Sequence, residues 1–252
     1  LDEGRDAAAL FVLRRAGSWR FGRCAACNAC RPLDRTCGAA VTITYPRAFP
    51  THKNYRDITI TQRKVVGVNT APGSLVGQSY EWPGERWEAQ ISLPLMSRAD
   101  GDAWEAWLTS LRGPVGSFLL PVPGATPRGA AAATPGTPQA DGAASARART
   151  LAIKTGLGVV ANYLRAGDWL SIGTGSSRRL HRVLVDASLD SSGKATLDIW
   201  PALREALTNS ATLYVSSATG KFMLLNSSHD LKVDVAGRYQ PAVISCVEDL
   251  RP

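Results

Sequence analysis

Between Ser97 and Pro114 the apolar positions Trp104, Trp107, Leu108 and Leu111 recur at helical spacing on one side. Ser97 is placed to cap the first turn, Asp100 and Asp102 suit its positive end, and Gly113-Pro114 supplies the stop. The flanks change period. Trp87, Ala89, Ile91 and Leu93 alternate with Glu88, Gln90 and Ser92, as a half-buried strand does, and Phe118-Leu119-Leu120 reads as another short strand. One helix pinned between strands is an α+β signature and not a repeating βαβ one.

Upstream, Val41–Tyr45, Ile58–Thr61 and Lys64–Val68 read as short strands, so 41–123 forms a first β-rich region. From Gly124 to Arg149 the chain is dominated by Ala, Gly, Pro and Thr. With almost no large apolar residue to bury, this piece is expected to be a linker or an extended surface arm. After it, Thr150–Lys154, Trp169–Ile172, Leu180–Val185, Ala195–Trp200 and Ala211–Val215 follow as short strands separated by Gly-Asp, Gly-Thr-Gly and Ser-Ser-Gly-Lys turns. Five such strands over 150–215 predict a small β-barrel. Lys221–Leu225, Leu231–Val235 and Ala242–Val247 add three strands within 216–252. The expected class is therefore α+β, mainly β, with one amphipathic helix.

Composition changes this picture at the N-terminus. The 252 residues are 44% hydrophobic and 20% charged, an ordinary globular balance. Residues 1–40, however, hold four of the five cysteines, as Cys24, Cys27, Cys30 and Cys37, in an Arg-rich context. This leader is expected to lie outside the folded unit. Three thiols within seven residues are close enough to share a metal, and the C-x2-C-x2-C-x6-C spacing is nearer to iron–sulfur ligation than to a zinc finger's two separated pairs. No Cys-Pro follows, and no strand pattern surrounds the cluster. Cys246, alternating with Ile244, reads as a buried core thiol.

The formal charge of +8 is spread in ones and twos, with clusters only at Arg147/Arg149 and Arg178-Arg179/Arg182. Neither cluster is interleaved with aromatics as a single-strand stacking platform is, so an acidic protein partner is favoured over nucleic acid. No run approaches the ~18 consecutive apolar residues of a membrane-spanning helix.

Val41-Thr-Ile-Thr-Tyr-Pro, Tyr80-Glu-Trp-Pro-Gly-Glu-Arg-Trp-Glu-Ala-Gln, the Ser97–Pro114 helix, Ala166-Gly-Asp-Trp-Leu-Ser-Ile-Gly and Trp200-Pro-Ala-Leu-Arg together resemble the distal tail proteins of long-tailed (siphovirus-like) bacteriophages. The resemblance runs from about Val41 to the C-terminus and rests on aromatic and turn patterns rather than on catalytic signatures. It implies a non-enzymatic virion protein of the tail tip, assembled in the host bacterial cytoplasm. Such a protein forms a ring with copies of itself, a hexamer, between the tail tube and the hub or baseplate proteins that carry host recognition. It also implies a β-sandwich-like ring-forming domain to which the last strands return, so that the barrel is an insertion.

Two other functions compete. A carbohydrate-binding module would display Trp169, Trp200 and Tyr214 to solvent, whereas the cysteine leader would make a metalloprotein. Core packing is the default for each tryptophan: Trp104 and Trp107 on the helix, Trp82 and Trp87 bracketing Pro83–Arg86 across a hairpin, and Trp169 and Trp200 in the barrel. Candidates for catalysis are sparse. His52, His181 and His229 are far apart, and alternation makes His181 a partly buried strand position. Gly173-Thr-Gly-Ser-Ser lacks the Gly-x-Ser-x-Gly elbow and any phosphate-cradle spacing. Asp168 sits at a strand entrance, a usual turn position, with no second carboxylate at a readable spacing. No catalytic, cofactor-binding or metal residue is assigned, and no cofactor is expected.

Overall fold

The helical run folds where its pattern places it. In the computed structural model, which describes residues 42–50, 55–70, 73, 76–228 and 230–251, helix α1 spans Arg98–Leu111. Ser97 Oγ accepts the Asp100 N–H at 3.3 Å, satisfying one of the first-turn donors. The stop comes one residue before Gly113: Arg112 itself takes the left-handed conformation, φ 54°. The buried face of α1 is Trp104, Trp107, Leu108 and Leu111, and Phe49 meets both indoles edge-on, at 5.6 and 5.8 Å.

The fold is mainly β, with α1 as the one α-helix among the described residues. Its strands are β1 Arg47–Ala48, β2 Asp57–Thr70, β3 Gly77–Leu93, β4 Ser117–Pro121, β5 Gln139–Ala140, β6 Thr150–Lys154, β7 Val160–Leu164, β8 Trp169–Ile172, β9 Arg179–Val183, β10 Ala187–Leu189, β11 Lys194–Trp200, β12 Leu213–Tyr214, β13 Thr219–Leu224 and β14 Ala242–Glu248. One six-stranded sheet has the order β1-β4-β13-β14-β3-β2, all antiparallel except β1 on β4. The strands after residue 216 thus lie between β3 and β4, and everything from 122 to 218 is inserted between the hydrogen-bonded neighbours β4 and β13.

That insertion is a nearly closed barrel-like sheet, β12-β8-β9-β11-β6-β5, with β7 and β10 paired beside it. Its core is Leu151, Ile153, Tyr163, Leu164, Leu170, Ile172, Leu197 and Ile199, each at most 2% exposed. The sheet and the barrel belong to a single compact unit, Ile43–Pro252.

Three segments differ from their sequence patterns. Residues 124–149, expected as a linker or free arm, close the barrel. Ala140 N–H donates to Ala211 O at 2.9 Å, and Leu213 N–H to Pro138 O at 3.0 Å. Here smallness replaces bulk as the packing device: Ala131 and Ala140 are fully buried, and a Cβ on Gly129 would stand 2.4 Å from Tyr163 O. Thr42–Tyr45 is not a strand; Tyr45 is held instead by its hydroxyl, which donates to Ser110 O on α1 at 2.6 Å. Leu231–Val235 is not a strand either. The Asp234 carboxylate accepts the N–H groups of Ala236 and Arg238 at 2.9 and 2.8 Å, and Gly237 sits at φ 74°, so turn chemistry overrides the alternation.

Candidate functional site

Where the barrel meets the sheet, apolar and ionic layers adjoin. Trp87 of β3 is 2% exposed and packs its ring 4.4 Å from Trp200 and 4.9 Å from Trp169 (centroid distances), while its Nε1–H donates to Leu180 O at 2.9 Å. The solvent-facing platform that a carbohydrate-binding module would need from Trp169 and Trp200 is instead a joint: Trp200 is 9% exposed and Trp169 is half-buried under the Arg182 guanidinium. Tyr214 is half-buried too, with Arg178 stacked 3.8 Å over its ring.

The ionic layer joins β13, β14 and the C-terminal residues to β9 and the loop after β11. Glu248, 2% exposed, accepts from Arg204 Nη2 at 2.9 Å and from the Trp87 N–H at 3.1 Å. Burial pushes its carboxyl above the usual range, against the pull of Arg204. Asp249 accepts from Arg251 Nε at 2.8 Å and stands 3.3 Å from Lys221 Nζ. Arg179 donates to the backbone carbonyls of Asp249 and Arg251. Pairing of this kind keeps buried charges from being orphaned, and removing one partner is what would be costly.

His181 lies in the same layer and is buried more deeply than the sequence pattern indicated, at 1% exposure. Its Nδ1 lies 2.8 Å from Pro201 O, so Nδ1 carries the proton and donates. Burial, with the Arg204 and Arg179 charges in support, pushes its pKa from the ordinary 6.5 down to about 4. The unfolded chain therefore takes up this proton first. Stability from His181 is complete above about pH 6.5 and is lost as the pH falls towards 4, a contribution of about 3 kcal/mol. Urea unfolding from about pH 7 to about pH 4 should show a steeper loss for the native chain than for His181→Gln.

The remaining candidates are structural. Asp168, 3% exposed, accepts the N–H groups of Arg128 and Arg165 at 3.1 and 2.9 Å. Gly173, at φ 88°, opens the turn that continues as the 3-10 segment Gly175–Ser177. Cys246 is a buried free thiol, its pKa raised by burial to about 12. The leader cysteines Cys24, Cys27, Cys30 and Cys37, together with His52 and His229, lie outside the described residues. Among the described residues no group of three His, Cys, Asp or Glu is arranged to hold a metal ion, and no helix is long and apolar enough to cross a membrane.

Among the described residues, several exposed apolar side chains gather on the hairpin of β2 and β3. The inner strand β14 pairs with β3 only from Leu93 to Glu88; beyond that point β2 and β3 run on as a two-stranded ribbon. Its base is tied to the barrel by Glu85, which accepts from Arg149 Nη2 at 3.0 Å and from the Ala202 N–H at 3.0 Å. Further out, Val65, Val68, Tyr80 and Trp82 are 52, 71, 60 and 59% exposed. Trp82 is thus not core. Pro83-Gly84 is no hairpin turn but part of the continuous strand β3, where the register shifts between Lys64 and Val66. Arg147 and Arg149 flank the ribbon base, where Arg149 pairs with Glu81 and Glu85. No known protein family and no curated protein matches the chain.

Proposed function

We propose that this chain is a structural, non-enzymatic subunit of a long-tailed phage tail tip. It closes a ring with copies of itself, six by the distal-tail resemblance, and joins the tail tube to the hub or baseplate proteins that carry host recognition. The observation that carries this reading is the exposed apolar ribbon of β2 and β3. A two-stranded ribbon of this length is marginal alone, and an apolar free edge invites pairing. At the opposite edge of the sheet, β1 is only two residues long and is pinned by Trp107 Nε1–H, which donates to Ala48 O at 3.0 Å.

Unlike edges favour head-to-tail contacts over two-fold ones, and head-to-tail contacts that close give rings. The two faces of such a ring remain free for the tube on one side and the hub on the other, and the +8 charge suits acidic surfaces on those partners. The inserted barrel would project from the ring domain, held by the tryptophan joint. Electron microscopy of the purified chain tests the reading: annular particles are expected, and a monodisperse single copy at micromolar concentration overturns it.

A further inference from the structure

Each edge of the six-stranded sheet carries a like-charge pair at its surface. On the ribbon, Arg63 and Arg86 stand directly opposite one another across β2 and β3, with side chains 64 and 39% exposed. Like charges so placed destabilise a strand pair. Glu88 serves both, at 3.7 and 2.7 Å, so a single carboxylate stands against two guanidinium groups. By the other edge, Tyr239 Oη lies 2.7 Å from Asp102 Oδ1 and 2.7 Å from Glu105 Oε2 on α1. The hydroxyl has one proton and donates to only one of them. Arg98 stands 3.6 Å from Asp102, so here the surplus is negative.

Apolar surface borders each pair. By ladder alternation, Val65, Tyr80 and Trp82 share the ribbon face of Arg63 and Arg86. Tyr80 is paired opposite Gly67, and a Cβ on Gly67 would stand 3.4 Å from Trp82 Nε1, so both rings adjoin one glycine. Beside α1, Ile43 and Ala106 line an open groove of about 600 Å³ together with Asp102, Glu105 and Thr109. The groove lies by edge strand β1, because Tyr45 Oη–H donates to Ser110 O and Trp107 Nε1–H to Ala48 O. The ribbon extends the opposite edge strand, β2. Five inter-strand steps of ~4.8 Å separate the two edges, so a ribbon does not reach its own groove.

We propose that the Arg63, Tyr80 and Trp82 face of the ribbon docks into the α1 groove of a second copy of this chain. The inference rests on the ring reading above and names its two contacting surfaces. Charge selects the occupant: the carboxylate that the arginine pair lacks is supplied by Asp102 and Glu105 of the next copy, and the cation that those acids lack by the ribbon. Trp, Tyr and Arg are the residue types that dominate interface energies, and Ile43 and Ala106 give the rings an apolar floor. Each copy offers one ribbon and one groove, so the contact runs in one direction and closes as a ring.

The test is a charge exchange in the full chain, read by light scattering and electron microscopy. Ribbon reversal, Arg63→Glu with Arg86→Glu, and groove reversal, Glu105→Lys with Thr109→Lys, should each weaken the contact at least about tenfold and give single copies. Asp102 still accepts the Tyr239 hydroxyl after groove reversal, so the thermal midpoint should hold. Mixed in equal amounts, the two variants should assemble again, because every contact then joins opposite charges. Ala106→Trp, at an exposed groove position, should block assembly by filling the groove. Rings that persist in either reversal or in Ala106→Trp overturn the assignment and leave the ring reading in place. So does a mixture of folded variants that stays as single copies. A native chain without annular particles overturns the ring reading, and this inference with it.

Discussion

Trp87→Ala is expected to cost about 3–5 kcal/mol of stability, whereas Trp82→Ala, on the same strand, should stay within about 0.5 kcal/mol. The contrast follows from burial. Trp87 is 2% exposed and Trp82 59%. Removing the Trp87 ring empties the space between Trp169 and Trp200 and leaves Leu180 O without its indole donor, so a cavity cost and a lost hydrogen bond add. The damage should also be directional. Amides of β9, which lie under the joint, should lose hydrogen-exchange protection more than those of β6 on the far side of the barrel. Urea unfolding combined with exchange mass spectrometry reads both effects. If the two tryptophan variants unfold alike, the joint does not hold the barrel to the sheet.

The legible parts of this chain are those in which one local pattern decides the outcome. Helix α1 is written between Ser97 and Leu111 because cap, apolar stripe and stop all agree. β8, β9, β11 and β14 announce themselves by alternation or by short apolar runs between turn residues. Where local signals conflict with packing, the pattern fails. β7 contains Asn162 at φ 49° and shows no clean alternation, yet it forms because Ser188 Oγ accepts the Asn162 N–H at 2.9 Å across from β10. The Ala-rich stretch that closes the barrel has too little bulk to look like a core element, and its order comes from backbone bonds both to the nearby β6 and to a segment some 70 residues away.

The site-level features were less readable still. Nothing in Leu203-Arg204-Glu205 marks those side chains, because Arg204 finds Glu248 only when β14 returns to the sheet beside the barrel. Likewise, tryptophans assigned to separate regions meet in one cluster. Sequence spacing carries no information about contacts made across an insertion, and local pattern alone shows the long apolar ribbon as no more than short strands and a turn.

That ribbon carries the second large effect. If the proposed ring forms through it, Val68→Glu combined with Trp82→Glu should convert ring assemblies to single copies while leaving the thermal midpoint of the monomer nearly unchanged. Val68 and Trp82 are 71 and 59% exposed and touch no core cluster, so the fold loses little. An interface is affected very differently. A tryptophan at the centre of a docked ribbon is the kind of residue that contributes about 2 kcal/mol or more, about 30-fold, and each buried unpaired carboxylate adds its desolvation cost. Every contact around a ring repeats the defect, so closure should fail at concentrations where the native chain assembles. Val159→Glu, at a 74% exposed barrel position, is the control for added charge: it places one carboxylate away from the ribbon and should leave assembly intact. Light scattering on size-exclusion peaks separates the outcomes. Annular particles surviving in the double variant would place the self-contact elsewhere than on β2 and β3. Loss of assembly in Val159→Glu as well would point to net charge rather than to the ribbon.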